Sequence, residues 1–207
     1  MDVHAPMEPI HTWRDFAIHL TIVTIGLFIA LSLEALVEHI HQRHLLHTAE
    51  TNLHIELHEN RDLLAGDEHA LDLTEAELQH NIDILTARKS NPALANTLSS
   101  NWHWDGMEDS AWNTARDSGA LALMPYDTEQ AWSGIYAQQG AVNDQSRVYI
   151  LDMYRAAAPT QGRTFAQLTP AELDQIIAGT QQSIVDLNLL RDLCKSLDNI
   201  YSHTGQL

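Results

Sequence analysis

From Phe16 to Val37 the chain reads FAIHLTIVTIGLFIALSLEALV, and no other stretch limits the fold so strongly. At about 1.5 Å of rise per helical residue the run is about 33 Å long, enough to cross the hydrocarbon core of a bilayer. Ile, Leu, Val and Phe lie on all sides of it rather than on one stripe, so a buried helix of a soluble domain is the weaker reading. A signal peptide fits less well too. Its apolar region is shorter and ends in a small-residue cut site, whereas this run passes without a break into a charged helical pattern. A retained transmembrane helix is therefore expected over 16–37, with a short N-terminal tail over 1–15.

At 100° per residue, His19, Gly26, Ala30 and Glu34 fall on one side of that helix. Gly26 and Ala30, four apart, would let another helix approach closely, and His19 or Glu34 could hydrogen-bond across the contact. This side is the expected transmembrane partner face, the alternative being a lone span whose ionisable residues reach for the interface. Lys and Arg near the span are balanced, Arg14 before it and Arg43 after it, so the positive-inside rule barely decides orientation. The usual outcome for an uncleaved N-terminal anchor is an exported domain, which here gives the periplasmic side of a bacterial inner membrane.

Beyond the anchor no proline occurs until Pro92, and Leu46, Ala49, Leu53, Leu57, Leu64, Leu71, Thr74, Leu78, Ile82 and Leu85 recur at steps of threes, fours and sevens. This heptad-like seam predicts one long juxtamembrane helix over 38–90, with a possible break near Gly66. Asn60 and Asp67 occupy two seam positions, where polar residues usually fix register. Loop signals follow, Asn91-Pro92 and Asp105-Gly106 among them. Further helices are expected at about 108–123, 127–157 and 170–203. Asp127 is placed to cap the second, and Thr169-Pro170-Ala171-Glu172 supplies a capping box for the third. Stripes are expected at Trp132, Ile135, Tyr136, Gln139, Val142, Tyr149, Ile150 and Met153, and at Leu173, Ile177, Thr180, Ile184, Leu187, Cys194, Leu197 and Tyr201. No stretch alternates like a strand. The expected fold is all-α, an N-terminal transmembrane helix continuing into a long helix that packs in an antiparallel helical bundle.

Charge narrows the partners. With 28 Asp plus Glu against 11 Lys plus Arg, the net charge of −17 repels phosphate backbones, so nucleic acid is not expected. The single cysteine, Cys194, excludes an intrachain disulfide and fits a small buried hydrophobe. Histidine is unusually abundant, 13 in all. His47, Glu50, His54 and His58 share one helical stripe, the spacing a divalent transition metal would need, but a single helix supplies only part of a site. Solvated histidines on an acidic helix are the simpler reading. Glu77-Leu78-Gln79-His80 provides the Glu-x-x-His spacing of di-metal bundles once, where two copies are required. No nucleophile elbow or phosphate loop is present, so no catalytic residue and no cofactor is assigned. Trp102, Trp104, Trp112, Tyr126, Trp132 and Tyr136 could line a pocket or interface, against the alternative that they plug the core.

Two stretches resemble a known kind of protein. Thr21-Ile22-Val23-Thr24-Ile25-Gly26-Leu27-Phe28-Ile29-Ala30-Leu31-Ser32-Leu33-Glu34, followed by Asn52-Leu53 and Glu56-Leu57-x-x-Asn60, is similar to the start of uncharacterised bacterial single-pass membrane proteins grouped as a domain of unknown function. Ala111-Trp112-x-x-Ala115-x-x-Ser118-Gly119-Ala120-Leu121, with Met124-Pro125-Tyr126 and Ile135-Tyr136, resembles their middle segment. The resemblance implies a single-pass topology and a helical domain, and it brings no activity. The functional expectation is a non-catalytic membrane protein acting through protein contacts, as an accessory or structural subunit or as a homo-oligomer. The alternative is a membrane-anchored sensor or a ligand- or metal-binding domain that uses the histidine-rich helix or the tryptophan-lined region.

Overall fold

The computed structural model describes residues 12–91, 94, 98, 99 and 102–203; most of the expected tail over 1–15 lies outside them. The fold is all-α, and the described residues form four α-helices: α1 (Trp13–Ser90), α2 (Ser110–Asp117), α3 (Tyr126–Ala157) and α4 (Pro170–His203). No strand occurs among the described residues. The chain divides into two compact units, Met1–Thr48 and Ala49–Leu207.

The first unit holds the apolar part of α1. That helix begins at Trp13, three residues before the expected span, because Thr12 caps it. The Thr12 hydroxyl accepts the Asp15 backbone N–H at 3.3 Å and donates to the Asp15 carboxylate at 2.7 Å. Asp15 also places its charge at the positive end of the helix dipole.

In the second unit the remainder of α1 packs with α3 and α4. Buried residues of its seam, Leu53, Glu56, Asn60, Leu64, Asp67, Leu71, Thr74, Leu78, Asn81, Leu85 and Arg88, follow one another at steps of three or four. That heptad frame belongs to helices crossing at a shallow angle, each seam residue filling a gap on its neighbours. The expected seam therefore needs one correction: Glu56 is buried where Leu57, only half-buried, was expected. On α4 the same frame buries Ile176 and Ser183 in place of Ile177 and Ile184, and on α3 it buries Ser146 and Ala156. Phase decides burial here, and it overrides hydrophobicity at individual positions. Gly66 sits inside α1 without interrupting it, so the helix has no break there.

Contacts fix the helix directions. Lys89 pairs with Asp174 near one end of α1, and Arg191 reaches Asp72 at 3.3 Å and Glu75 at 2.6 Å further back, so α4 runs antiparallel to α1. Gln139 donates to the Tyr201 hydroxyl at 2.7 Å and Gln145 to the Asp186 carbonyl at 3.1 Å, so α4 also runs antiparallel to α3. Leu85, Leu173 and Ile176 form an apolar cluster where α1 meets α4, with Phe165 and Leu168 packed on it.

Local signals set the helix ends. At the start of α4 the Glu172 carboxylate accepts the Thr169 N–H at 2.7 Å and the Thr169 hydroxyl accepts the Glu172 N–H at 3.3 Å, a reciprocal cap with Pro170 in the first turn. At α3 the cap position is Pro125, and Asp127 lies in the first turn, where it meets the helix dipole rather than an orphan N–H. Gly119, at φ +79°, ends α2 in the left-handed conformation and leads into a 3-10 turn, Ala120–Leu123.

Candidate functional site

The first candidate surface is the apolar stretch of α1. Every side chain from Ile18 to His41 is exposed in its own unit, including Ile22, Val23, Phe28 and Val37. The helix is long and apolar enough to cross a membrane. Its polar atoms are satisfied within the helix itself. Thr21 donates to the Ala17 carbonyl at 2.8 Å, Thr24 to the Leu20 carbonyl at 2.7 Å and Ser32 to the Phe28 carbonyl at 2.7 Å. The His19 ring nitrogen Nδ1 lies 2.8 Å from the Asp15 carbonyl. A helix in hydrocarbon must satisfy such groups internally, since no water is there to do it. Gly26 has open space where a side chain would be, and Ala30 and Glu34 are exposed.

A second feature is a buried polar ladder. Between α1 and α2 the described residues, 94, 98, 99 and 102–109, lie back along α1 and belong to no helix or strand, so their backbone groups need partners from elsewhere. Seam residues of α1 provide them in reverse order of sequence. Arg88 donates to the Leu94 carbonyl at 2.5 Å. Asn81 takes both groups of Ser99, its N–H at 3.0 Å and its carbonyl at 2.6 Å. Asp67 accepts the N–H of Asp105 at 2.9 Å and of Gly106 at 3.1 Å. Asn60 takes both groups of Glu108 at 2.7 Å each. Glu56 accepts the Ser110 hydroxyl at 2.6 Å, the Ala111 N–H at 2.7 Å and the Tyr136 hydroxyl at 2.8 Å. From α3, Asn143 holds Met107 in the same two-bonded way, at 3.1 and 2.8 Å. An asparagine amide carries one carbonyl and one N–H donor edge, so it pairs with a single extended residue as a strand neighbour would.

This return run lets α2 and the first turns of α3 both meet α1 at His54 and Glu56, with α3 lying parallel to α1. Gly106 makes it sterically feasible: its φ is +74°, and a Cβ there would lie 3.1 Å from Asn143 Oδ1. Burial pushes the Asp67 carboxyl above its ordinary value, the two backbone N–H groups pulling the other way. Burial first, then the bond to Glu56, pushes the Tyr136 hydroxyl far up, so it stays a donor.

The expected site residues separate into distinct places. Trp132 and Tyr136 are core, and Trp112 stacks on Tyr136 at 5.1 Å. Trp102 stacks on Trp104 at 5.8 Å and meets Tyr149 at 4.4 Å, forming a second aromatic group. Tyr126 is exposed. The six therefore do not form one pocket. His54 lies edge-on to Trp132 at 5.1 Å, which makes it a packing residue. His47 and His58 are exposed and Glu50 is half-buried on the same helix. Among the described residues no three His, Cys, Asp or Glu side chains are grouped to hold a metal ion. Cys194 is fully buried, and burial raises its thiol to about 12, so it packs as a small hydrophobe.

One cavity of about 370 Å³ opens beyond the ladder, between α1, α3 and α4. Trp102 borders it, as do Tyr149, Met153 and Thr180. Trp102 is one of the residues expected to line a pocket, whereas Tyr149, Met153 and Thr180 were expected only on helix stripes; the usable signal is Tyr149 and Met153, an aromatic and a flexible thioether one turn apart on α3.

Set beside protein-family models, curated proteins and solved structures, the chain matches none of them.

Proposed function

We propose that this chain is a non-catalytic, single-pass membrane protein that works through protein contacts, as an accessory or structural subunit of a membrane assembly or as a homo-oligomer. The observation that carries the reading is the first part of α1, where the side chains are mostly apolar and exposed in their own unit. Apolar surface of that extent requires cover by lipid or protein. The buried ionisable groups of the second unit support the non-catalytic part: Glu56 and Asp67 hold backbone and a tyrosine in place. The expected setting is a bacterial inner membrane with the helical unit on the periplasmic side.

The contact face is that of His19, Gly26, Ala30 and Glu34, where small side chains permit close helix approach. Site-specific photocrosslinking in native membranes tests it. A benzophenone side chain at Ala30 should give a discrete protein adduct, and the same group at Phe28, on the opposite side, should give lipid adducts. Adduct mass separates a second copy from a different subunit. Lipid adducts alone at both positions would overturn the reading.

A second reading, a membrane-anchored ligand-binding bundle, is favoured by the cavity between α1, α3 and α4.

A further inference from the structure

The cavity lies wholly among residues of the Ala49–Leu207 unit, and its volume of about 370 Å³ falls in the size class of small-molecule sites, about 300–1,000 Å³. Its wall is mostly apolar, with Leu78, Ile176 and Phe165 beside the indole of Trp102. Its hydroxyls are turned inward: Thr74 donates to the Ala70 carbonyl at 2.8 Å, Thr180 to the Ile176 carbonyl at 2.8 Å and Ser183 to the Gly179 carbonyl at 3.1 Å. One donor is poorly served. The Tyr149 side chain has no solvent exposure, and its hydroxyl donates only to the Met153 sulfur, at 3.8 Å. A thioether is a weak acceptor, and a buried hydroxyl ordinarily finds a better one.

Tyr149 and Met153 both line the cavity, and with Tyr149 fully buried a ligand reaches its hydroxyl by displacing the Met153 side chain. Charge then limits what enters. Arg163, on the exposed rim, is held by both oxygens of Glu172 at 2.6 and 3.2 Å. Arg163 is the cation among the described lining residues, and with it held by Glu172 an anion would find no unpaired positive charge there. An ammonium group, for its part, has no lone pair for the Tyr149 hydroxyl.

We propose that this cavity is a binding site for an uncharged, largely apolar ring compound that carries a carbonyl oxygen, which replaces the Met153 sulfur as acceptor for the Tyr149 hydroxyl. Burial, then the nearby Glu77, raises the Tyr149 hydroxyl to about 12, so it is a donor at any physiological pH. Trp102, 4.4 Å from the Tyr149 ring, supplies an aromatic surface for the ring body. The site is independent of the protein-contact reading: it lies in the helical unit, and its occupancy does not require the anchor to meet a partner.

The test uses the full chain in a non-fluorescent detergent, with empty micelles as the blank. The probe is prodan, a neutral dimethylaminonaphthalene bearing an ethyl ketone. Saturable binding at one per chain with blue-shifted emission is expected. Tyr149→Phe should weaken it about 5- to 10-fold, the effect of one hydrogen bond. The same ring without the ketone should bind wild type and Tyr149→Phe alike. Ala157→Trp, at an exposed rim position, should abolish binding while circular dichroism stays unchanged. A signal no greater than that of empty micelles, equal affinity for prodan in wild type and Tyr149→Phe, or tighter binding of a naphthalene sulfonate would each overturn the proposal.

Discussion

Removing the Asp67 carboxylate is the sharpest perturbation of the polar ladder. Asp67 is fully buried and accepts two backbone N–H groups, of which Gly106 is buried and Asp105 is partly exposed. In Asp67→Ala the Gly106 N–H loses its partner inside the protein, at about 1–3 kcal/mol, and the Asp105 N–H loses part of that because water reaches it. The lost side chain leaves a small void as well, while the cost of burying a charge is relieved. The net expectation is about 2–4 kcal/mol, or a fall in Tm of about 4–16 °C for a chain of this size. Asp67→Asn keeps the shape and one acceptor but turns an NH₂ toward the second N–H, so about half that loss is expected. Thermal unfolding by circular dichroism gives the total, and hydrogen exchange at Gly106 shows whether the loss is local.

The pH dependence follows from the raised Asp67 carboxyl. A folded-state value above the ordinary 3.8 means that the native protein binds the proton more tightly than the unfolded chain. Wild type therefore gains stability relative to Asp67→Asn as pH falls from the folded value toward 3.8. An Asp67→Ala protein within about 0.5 kcal/mol of wild type, where ordinary surface changes fall, would refute the ladder as the element that seats the return run.

Glycines give paired predictions of opposite sign. Gly66→Ala meets nothing within 4 Å inside a helix and should stabilise by about 0.5–1 kcal/mol, whereas Gly179→Ala places a Cβ 2.7 Å from that of Ala156 and should destabilise by about 1–3 kcal/mol, both read by thermal melts. The bond from Arg163, then those from Thr169, lowers the Glu172 carboxyl to about 2. Its folded value lies below the ordinary 4.5, so its contribution to the α4 start is present above 4.5 and lost as pH falls through about 2. Glu172→Gln should remove that dependence and speed exchange of the Thr169 amide, whose N–H the carboxylate accepts. Cys194 should resist maleimide in the folded protein and react fully in denaturant, because burial keeps it a thiol.

The helices were legible because their periodicity is long and uninterrupted, and the Thr169 to Glu172 cap was legible because its chemistry is local. Glu56, Asn81 and Arg88 were not read as buried, although all three keep phase with Asn60 and Asp67. A polar side chain in a seam looks like an error of register until the backbone that it serves is known. That backbone, the return run, carries only loop signals, and beyond Leu94 its path is set by contacts 18 to 48 residues away in sequence. The cavity was hidden for a related reason. Its walls come from three helices and from the segments that join them, and Trp102, on the return run, meets Tyr149 of α3 only once that run is seated. The histidines show the converse. Their spacing is regular, yet His54 meets an indole rather than a further ligand.

On the proposed function the exposed apolar helix is covered by lipid and by another protein. The most direct test of this is the number of chains per particle and the total protein mass, measured by light scattering after extraction from native membranes in a gentle detergent. The account predicts that the chain is extracted only with detergent, in particles holding a second copy or a distinct protein, and that bulky substitution at Gly26 and Ala30 reduces them to one chain. Particles of a single chain from the outset, or release from membranes by alkaline carbonate without detergent, would contradict it.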